Sequence, residues 1–335
     1  MSGRPHICFT FVGNITRDSR LRRFIASASS GAETTVITLT DDTAAALPGT
    51  NNIPFKRTRS LRSALPAFWN RATTISGGHS FDLYVAADLY SLPLASRMAR
   101  RAGKPLIYDA RELYRAIAAL DGRSVTQRFW TWLELRYASR ADVVLTVNGT
   151  IADVLRQDFH DVRVFHNYPD RRMEDRSDLL REKLGIASDM PVLLSQGGLQ
   201  QGRGAFLCID ALCDVPRAVL VFLGDGPLRE DIMRYALQKD VADRVYLPSA
   251  VPSAQLLAWT ASADIVLCMI ENLGQSYYNS LPNKLFEYIA AGLPVIGSDF
   301  PEIGRVIRTC GIGIATSPDD AGELAASVRR ILDEP

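Results

Sequence analysis

The chain has 335 residues, 47% of them hydrophobic and 22% charged, which excludes a disordered, collagen-like or disulfide-stapled protein and suits two domains with cores of their own. The formal charge is only +1, which as a whole-chain figure points to neither nucleic acid nor membrane. That total is a cancellation: residues 1–168 hold 22 Lys+Arg against 14 Asp+Glu, a net +8, and residues 169–335 hold 16 against 23, a net −7.

Five cysteines, Cys8, Cys208, Cys213, Cys268 and Cys310, include no C-x-x-C pair, so they read as reduced thiols of a cytoplasmic protein. The N-terminus runs directly into a strand pattern without the layout of a signal peptide. No apolar run reaches the ~18 residues that cross a bilayer.

In chain order, short β-branched or aromatic runs alternate with helix-period segments. Strands are predicted at 6–12, 34–40, 53–57, 81–87, 105–109, 142–147 and 162–166, with helices at 18–30, 60–76, 90–102, 124–140 and 149–158. Residues 169–189, polar and opening on Pro169, read as a linker that carries a short helix at 177–184. The alternation then restarts, with strands at 191–196, 218–223, 244–247, 264–270, 294–297 and 311–315. Helices are predicted at 203–213, 227–239, 253–262, 282–291, 301–308 and 318–332. The pattern implies α/β architecture: two doubly wound, parallel-sheet, Rossmann-like domains, 1–168 and 190–335, with a ligand cleft facing the carboxyl ends of both sheets.

The first strand leads into Gly13 alone, so the G-x-G-x-x-G dinucleotide fingerprint fails, although one glycine still lets backbone approach a ligand. The second half opens on Ser195-Gln196-Gly197-Gly198-Leu199-Gln200-Gln201-Gly202-Arg203-Gly204. A glycine-rich strand exit followed by Arg and a helix is an anion cradle, or else a plain loop with a surface Arg. Gly224-Asp225-Gly226-Pro227 is a turn at a carboxyl strand end. The stretch Asn279 to Ile296, NSLPNKLFEYIAAGLPVI, reads as loop, short helix, glycine stop and strand. The N-terminus of that helix suits a phosphate, and Glu287 suits vicinal sugar hydroxyls. Lys284 and Glu287 are also i,i+3 neighbours, which leaves a simple surface pair open.

These residues resemble the retaining glycosyltransferases of family 4, the glycosyl transferases group 1, with the two-domain GT-B fold. The resemblance runs along nearly the whole chain and is strongest over 190–317, in GGLQQGRG, GDGP, SLPNKLFEYIAAGLPVIGSD and GIGI. DSRLRR at 18–23, ADLYSLPLA at 87–95, YDARELY at 108–114 and HNYPD at 166–170 resemble landmarks of the first half. The resemblance implies sugar transfer from a nucleotide-diphosphate donor, with retention at the anomeric carbon. The donor is held by the second domain and a glycan or lipid-linked acceptor by the first, in cell-surface polysaccharide assembly.

By position it implies that Arg203 contacts the diphosphate, that Glu287 holds the ribose, and that the amides of Ser280, Leu281, Pro282 and Asn283 meet the phosphates. Gly13, Gly197, Gly198 and Gly224 line the donor. The family's frequent Arg after the first loop glycine is Gly198 here, with Lys284 as the candidate substitute. Its frequent Glu eight positions before the ribose Glu is Asn279, which can hydrogen-bond a hydroxyl but carries no charge. Its frequent His after Y-D-A is Arg111. The sequence stops at Pro335, which implies a shortened closing segment or a truncated sequence.

Arg203, Lys284 and Asn279 are thus the catalytic candidates, and Asp88, Arg111 and Glu112 the acceptor-side ones. For the last three, helix capping and a surface pair are the plainer alternatives. No metal-ligand cluster is visible, so the expectation is metal-independent transfer, with no cofactor and no nucleic-acid partner. Two basic groups, Lys56, Arg57, Arg59, Arg62 and Arg71 around Leu61, Leu65, Phe68 and Trp69, and Arg97, Arg100, Arg101 and Lys104, suggest peripheral docking on the anionic inner face of a membrane. A solvated helix face is the alternative there. For the whole chain two other readings stay open: a catalytically silent family member serving as partner or scaffold, and a sugar-nucleotide epimerase of related fold.

Overall fold

Side chains alternate across a strand, and β1 (His6–Val12) is apolar on both sides: Cys8 enters one core, Phe9 and Phe11 another. A strand buried on both faces needs helices on both faces, which is the parallel α/β arrangement. The computed structural model describes residues 3–71, 74, 80–116, 123–168, 174–252 and 254–333, and has this arrangement twice. Residues 72–73 and 75–76 of the helix expected over 60–76, and 169–173 of the expected linker, lie outside the described residues.

The first compact unit is Met1–Asn167. After β1 come α1 (Ser19–Ser29), β2 (Glu33–Thr40), β3 (Asn51–Lys56), α2 (Leu61–Asn70), β4 (Leu83–Ala86), α3 (Leu92–Ala102) and β5 (Leu106–Ala110). They are followed by α4 (Ser124–Ala138), β6 (Val143–Thr146), α5 (Gly149–Leu155) and β7 (Val162–Val164). All described pairings are parallel, in the order β3-β2-β1-β4-β5-β6-β7. The chain turns back across the sheet between β1 and β4, so the loops after those two strands flank the switch point where such sheets take ligands. β3 starts two residues earlier than its apolar run, because Asn51 and Asn52 continue the register with Thr35 and Val36. It is the edge strand, the one place where Pro54 is tolerated in a ladder.

The second unit is Tyr168–Pro335. Its elements are α6 (Leu179–Leu184), β8 (Val192–Gln196), α7 (Ala205–Cys213), β9 (Val219–Leu223), α8 (Arg229–Gln238), β10 (Val245–Tyr246), α9 (Leu256–Ala261), β11 (Ile265–Cys268) and α10 (Gln275–Tyr278). Then come α11 (Asn283–Ala290), β12 (Val295–Ser298), α12 (Pro301–Cys310), β13 (Gly313–Thr316) and α13 (Ala321–Asp333). The order is β10-β9-β8-β11-β12-β13, again parallel, with the switch between β8 and β11. Alternation repeats here: Leu193 faces one core, Val192 and Leu194 the other. Within the segment read as a linker, α6 docks on this unit, with Leu180 fully buried and its N–H donated to Ser262 Oγ at 3.2 Å. β11 ends at Cys268 rather than running to 270, because Ile270 leaves the ladder and donates its N–H to Ser298 Oγ at 2.8 Å. No helix among the described residues is long and apolar enough to cross a membrane.

The basic group around α2 is arranged differently from the membrane-facing expectation. Leu65 and Phe68 are core residues, and Trp69 Nε1 donates to the Tyr90 carbonyl at 2.7 Å. Arg97 donates to the Trp69 carbonyl at 3.1 Å, and Arg57 pairs with Asp41. The apolar side of α2 is spent on the core, so this helix has no face left to lower into a bilayer.

One buried ion pair ties the unit's layers together. Arg20 of α1 lays Nε and Nη2 on the Asp109 carboxylate of β5 at 2.8 and 2.5 Å, and its Nη1 donates to the Phe165 carbonyl at 2.6 Å. Asp109 is fully buried and Arg20 nearly so, so neither charge has water to fall back on. Asp109→Ala should therefore lower stability by about 3–5 kcal/mol, the usual effect of orphaning a buried charge. Urea unfolding measures it; a loss below about 1 kcal/mol would show that the pair does not hold the unit.

Candidate donor site and the family

The carboxyl ends of β8 and β9 in the second unit meet through backbone alone. Gly197 (φ +119°) donates its N–H to the Leu223 carbonyl at 3.0 Å, and a Cβ on Gly224 (φ +154°) would overlap the Gly197 carbonyl oxygen. A Cβ on Gly226 would overlap the Leu199 carbonyl in the same way. Two loops pass so closely only where side chains are absent. Gly198 is different: a Cβ there finds nothing nearer than the Gln200 side chain at 3.6 Å, so that position is open to larger residues.

Arg203 stands between Gly202 (φ +86°), packed against the Tyr277 ring, and Gly204 (φ +67°), packed against Met269. The Gly204 N–H donates to Glu271 Oε1 at 3.0 Å, which fixes the start of α7. Arg203 is half-buried and has no ion-pair partner among the described residues. Lys284, in the first turn of α11, is 8% exposed. Burial pushes its ammonium below the usual lysine range, and the neighbouring Arg203 charge pushes the same way against the opposing pull of Cys268, Cys208 and Glu287. The alternative of a surface Lys284–Glu287 pair therefore falls: Lys284 is inside.

Glu287 is positioned by residues that sequence reading did not single out. Gln196, the last residue of β8, donates Nε2 to Glu287 Oε2 at 2.5 Å, while its own Oε1 accepts from Thr260 Oγ1 at 2.7 Å. The Gln196 N–H donates to Tyr288 Oη at 3.0 Å. A polar residue closing an apolar strand just before a glycine pair was the available signal, since a buried amide needs partners of this kind.

Of the four amides expected to meet phosphates, two drop out. Pro282 has no N–H, and Ser280 donates its own to the Tyr277 carbonyl at 3.1 Å. Ser280 Oγ is buried without a hydrogen-bond partner among the described residues. Asn279 is 7% exposed at the end of α10, and Leu281 and Asn283 follow it into α11. Arg203, Lys284, Asn279, Ser280 and Glu287 thus belong to one unit, on the loops and first helical turns around β8, β9 and β11.

Gly13, Asp88, Arg111 and Glu112 belong to the first unit. Gly13 (φ +143°) donates to the Leu39 carbonyl at 3.0 Å. Asp88 accepts from the Val12 N–H at 2.8 Å and the Ser91 N–H at 2.6 Å, so its carboxylate joins the ends of β1 and β4 to the start of α3. Burial pushes its pKa up to about 6 against the pull of those amides and of Arg111. Helix α3 itself begins after Ser91 without a side-chain cap, so Asp88 ties the loops together and does not cap that helix. Arg111 pairs with Asp18, the N-cap of α1, and lies over the Phe11 ring, while its Nε and Nη2 are buried without hydrogen-bond partners among the described residues. Its acidic partners are Asp18 and, at 4.0 Å, Asp109; Glu112 is exposed. Among the described residues no three His, Cys, Asp or Glu side chains gather as metal ligands would.

Comparison with known proteins agrees with this geometry. The model for "Glycosyl transferases group 1" matches residues 176–335, and that for "Glycosyl transferase 4-like domain" matches 19–168. The chain belongs to the group 1 glycosyltransferases. It is 25% identical over 273 residues to alpha-D-kanosaminyltransferase of Streptomyces kanamyceticus, covering 78% of this chain and 66% of that one. It is 25% identical over 288 residues to a GDP-mannose-dependent phosphatidylinositol monomannoside mannosyltransferase of Mycolicibacterium smegmatis, covering 81% and 72%. The chain thus spans roughly two thirds of the length of these relatives. Among solved structures it is similar to sucrose-phosphate synthase from Thermosynechococcus elongatus, with a TM-score of 0.83 at 18% identity over 99% of this chain and 90% of that one. Anabaena HepE in complex with UDP gives 0.78 at 18% identity over 98% and 90%. The fold is GT-B.

The glycine contacts make a sharp expectation. Gly224→Ala should unfold or strongly destabilise the second unit, whereas Gly198→Ala should leave its melting temperature within a degree or two of the parent. Thermal unfolding of the two variants checks this, and equal effects would refute the backbone contact.

Proposed function

We propose that the chain is a retaining glycosyltransferase that moves a sugar from a nucleotide-diphosphate sugar to a glycan or lipid-linked acceptor, in assembly of cell-surface polysaccharide on the cytoplasmic side. The observation that carries the reading is the pair of cations, buried Lys284 and half-buried Arg203, set beside the glycine loops without an acidic ion-pair partner among the described residues. Two like charges held together and partly desolvated favour a multivalent anion, and a diphosphate is one. The UDP in the HepE structure and the GDP-mannose named for the mannosyltransferase support a nucleotide-sugar donor. The phosphatidylinositol monomannoside in the latter's name supports a lipid-borne acceptor.

In this reading Glu287, held by Gln196, accepts from the ribose hydroxyls. Arg203, Lys284 and the N-terminus of α11 stabilise the charge that grows on the departing diphosphate, so no divalent ion is required. The bond from the anomeric carbon to the diphosphate oxygen breaks, and its electron pair stays on the phosphate. The acceptor oxygen forms the new bond on the same face, and its proton passes to the leaving phosphate oxygen beside it. Asn279 hydrogen-bonds a hydroxyl of the transferred sugar. The acceptor is carried by the first unit, near Asp88, Arg111 and Glu112. Asp88 contributes there by holding the loops after β1 and β4 rather than by touching the acceptor.

Thermal-shift screening against uridine, guanosine, thymidine and adenosine diphosphates and their sugars tests the donor. The matching nucleotide should stabilise by about 2.7 kcal/mol at a hundredfold excess over Kd. Arg203→Ala and Glu287→Ala should abolish the shift, and the absence of any shift would defeat the reading. Binding without turnover on any acceptor would favour the silent-partner alternative that Gly198 and Asn279 keep open. Transfer should persist in chelator; complete loss restored by manganese would overturn metal independence.

A further inference from the structure

Four of the large apolar side chains left exposed by the fold stand on one helix. In α4, Val125 is 80% exposed, Trp132 57%, Phe129 44% and Leu135 37%. At 100° per residue these positions fall on a single arc of about 120°, and Arg128 and Arg136 fall within it. Arg123 and Arg140 are exposed at the two ends of the helix. The only acid of α4, Glu134, is 1% exposed on the opposite side, accepting from Tyr108 Oη at 2.9 Å. Leu133 and Ala138 fill the core from that side. The outward arc is therefore aromatic and cationic and contains no acid.

We propose that this face of α4 is the surface by which the protein lies on an anionic lipid bilayer. Trp132 and Phe129 would enter the headgroup boundary, with Arg128 and Arg136 on the lipid phosphates. A second copy of the chain is the poorer occupant. In a two-fold contact through this face Arg128 and Arg136 would meet their own counterparts, with no acid in the arc to separate them. Anionic lipid supplies the missing charge, and tryptophan is the side chain best suited to a boundary that is apolar on one side and wet on the other. With 15 residues the helix is too short to cross a bilayer and suits lying in its plane. The proposal needs no part of the sugar-transfer reading and is tested without substrate.

Flotation of the full chain with vesicles of phosphatidylcholine alone and of phosphatidylcholine with phosphatidylglycerol, at rising salt, is the experiment. The parent should float with the anionic vesicles and lose binding as salt rises. Trp132→Ser with Phe129→Ser should lower the partition coefficient about tenfold or more, and so should Arg128→Gln with Arg136→Gln. Both pairs are on the surface, so melting temperatures should stay at the parent's; should the aromatic pair fail to fold, the arginine pair decides. Bromine-labelled lipid should quench the parent's tryptophan emission, and Trp132→Phe should remove most of that quenching. Flotation that ignores lipid charge, or that survives both double substitutions, overturns the proposal. So does sedimentation showing a dimer that the aromatic pair splits. Nucleotide thermal shifts are read separately, so failure here leaves the donor reading untouched.

Discussion

The candidate site depends on a contact that contains no side chain. The loops leaving β8 and β9 touch through Gly197 and Gly224, and through Leu199 and Gly226, at distances where a Cβ would overlap a carbonyl oxygen. Gln196 ends its strand just before the first of these loops, and its side-chain amide reaches Glu287 on α11. The same crowding repeats on either side of Arg203, at Gly202 against Tyr277 and at Gly204 against Met269. Glycine is thus used at this site for what it lacks, and the charged groups take their places from backbone that has been allowed to approach.

The electrostatics follow from that placement. Lys284 sits at the start of a helix that is apolar on its inner face, so it is buried along with Leu285 and Tyr288. Burial and the Arg203 charge both work against its ammonium. A group held at such a disadvantage gains most when an anion arrives, which is the physical basis of the diphosphate proposal. The first unit solves the opposite problem. There Arg20, Asp109, Arg111 and Asp18 form a chain of buried and half-buried pairs, and Asp88 is consumed by two backbone amides. Its charges hold loops in place, while Arg203 and Lys284 of the second unit have no ion pair among the described residues.

Much of this was legible in order along the chain. Apolar runs such as HICFTFV and VLVFL can only be strands buried on both faces, and the regular return of helix-period segments requires parallel sheets. The glycine loops and the helix from Asn283 were visible as a cradle, since glycine and a helix N-terminus have local signatures. What escaped were partnerships. Gln196 reads as the tail of a strand, and only the sheet brings it 91 positions along the sequence to Glu287. The amide of Ser280 reads as a phosphate donor until the short helix before it, α10, takes its N–H.

The same division explains the basic half. The sequence by itself determined that the first unit carries an excess of positive charge and that its basic helices carry aromatic residues, because charge count and composition are properties of the chain. Which helix spends its apolar face on the core was decided only by packing: α2 buries Leu65 and Phe68, while α4 leaves Trp132 and Phe129 outside. Both helices mix aromatic and basic residues, so composition cannot separate them. Burial is settled by which face the neighbouring strands and helices leave room for, and that is a property of the assembled layers.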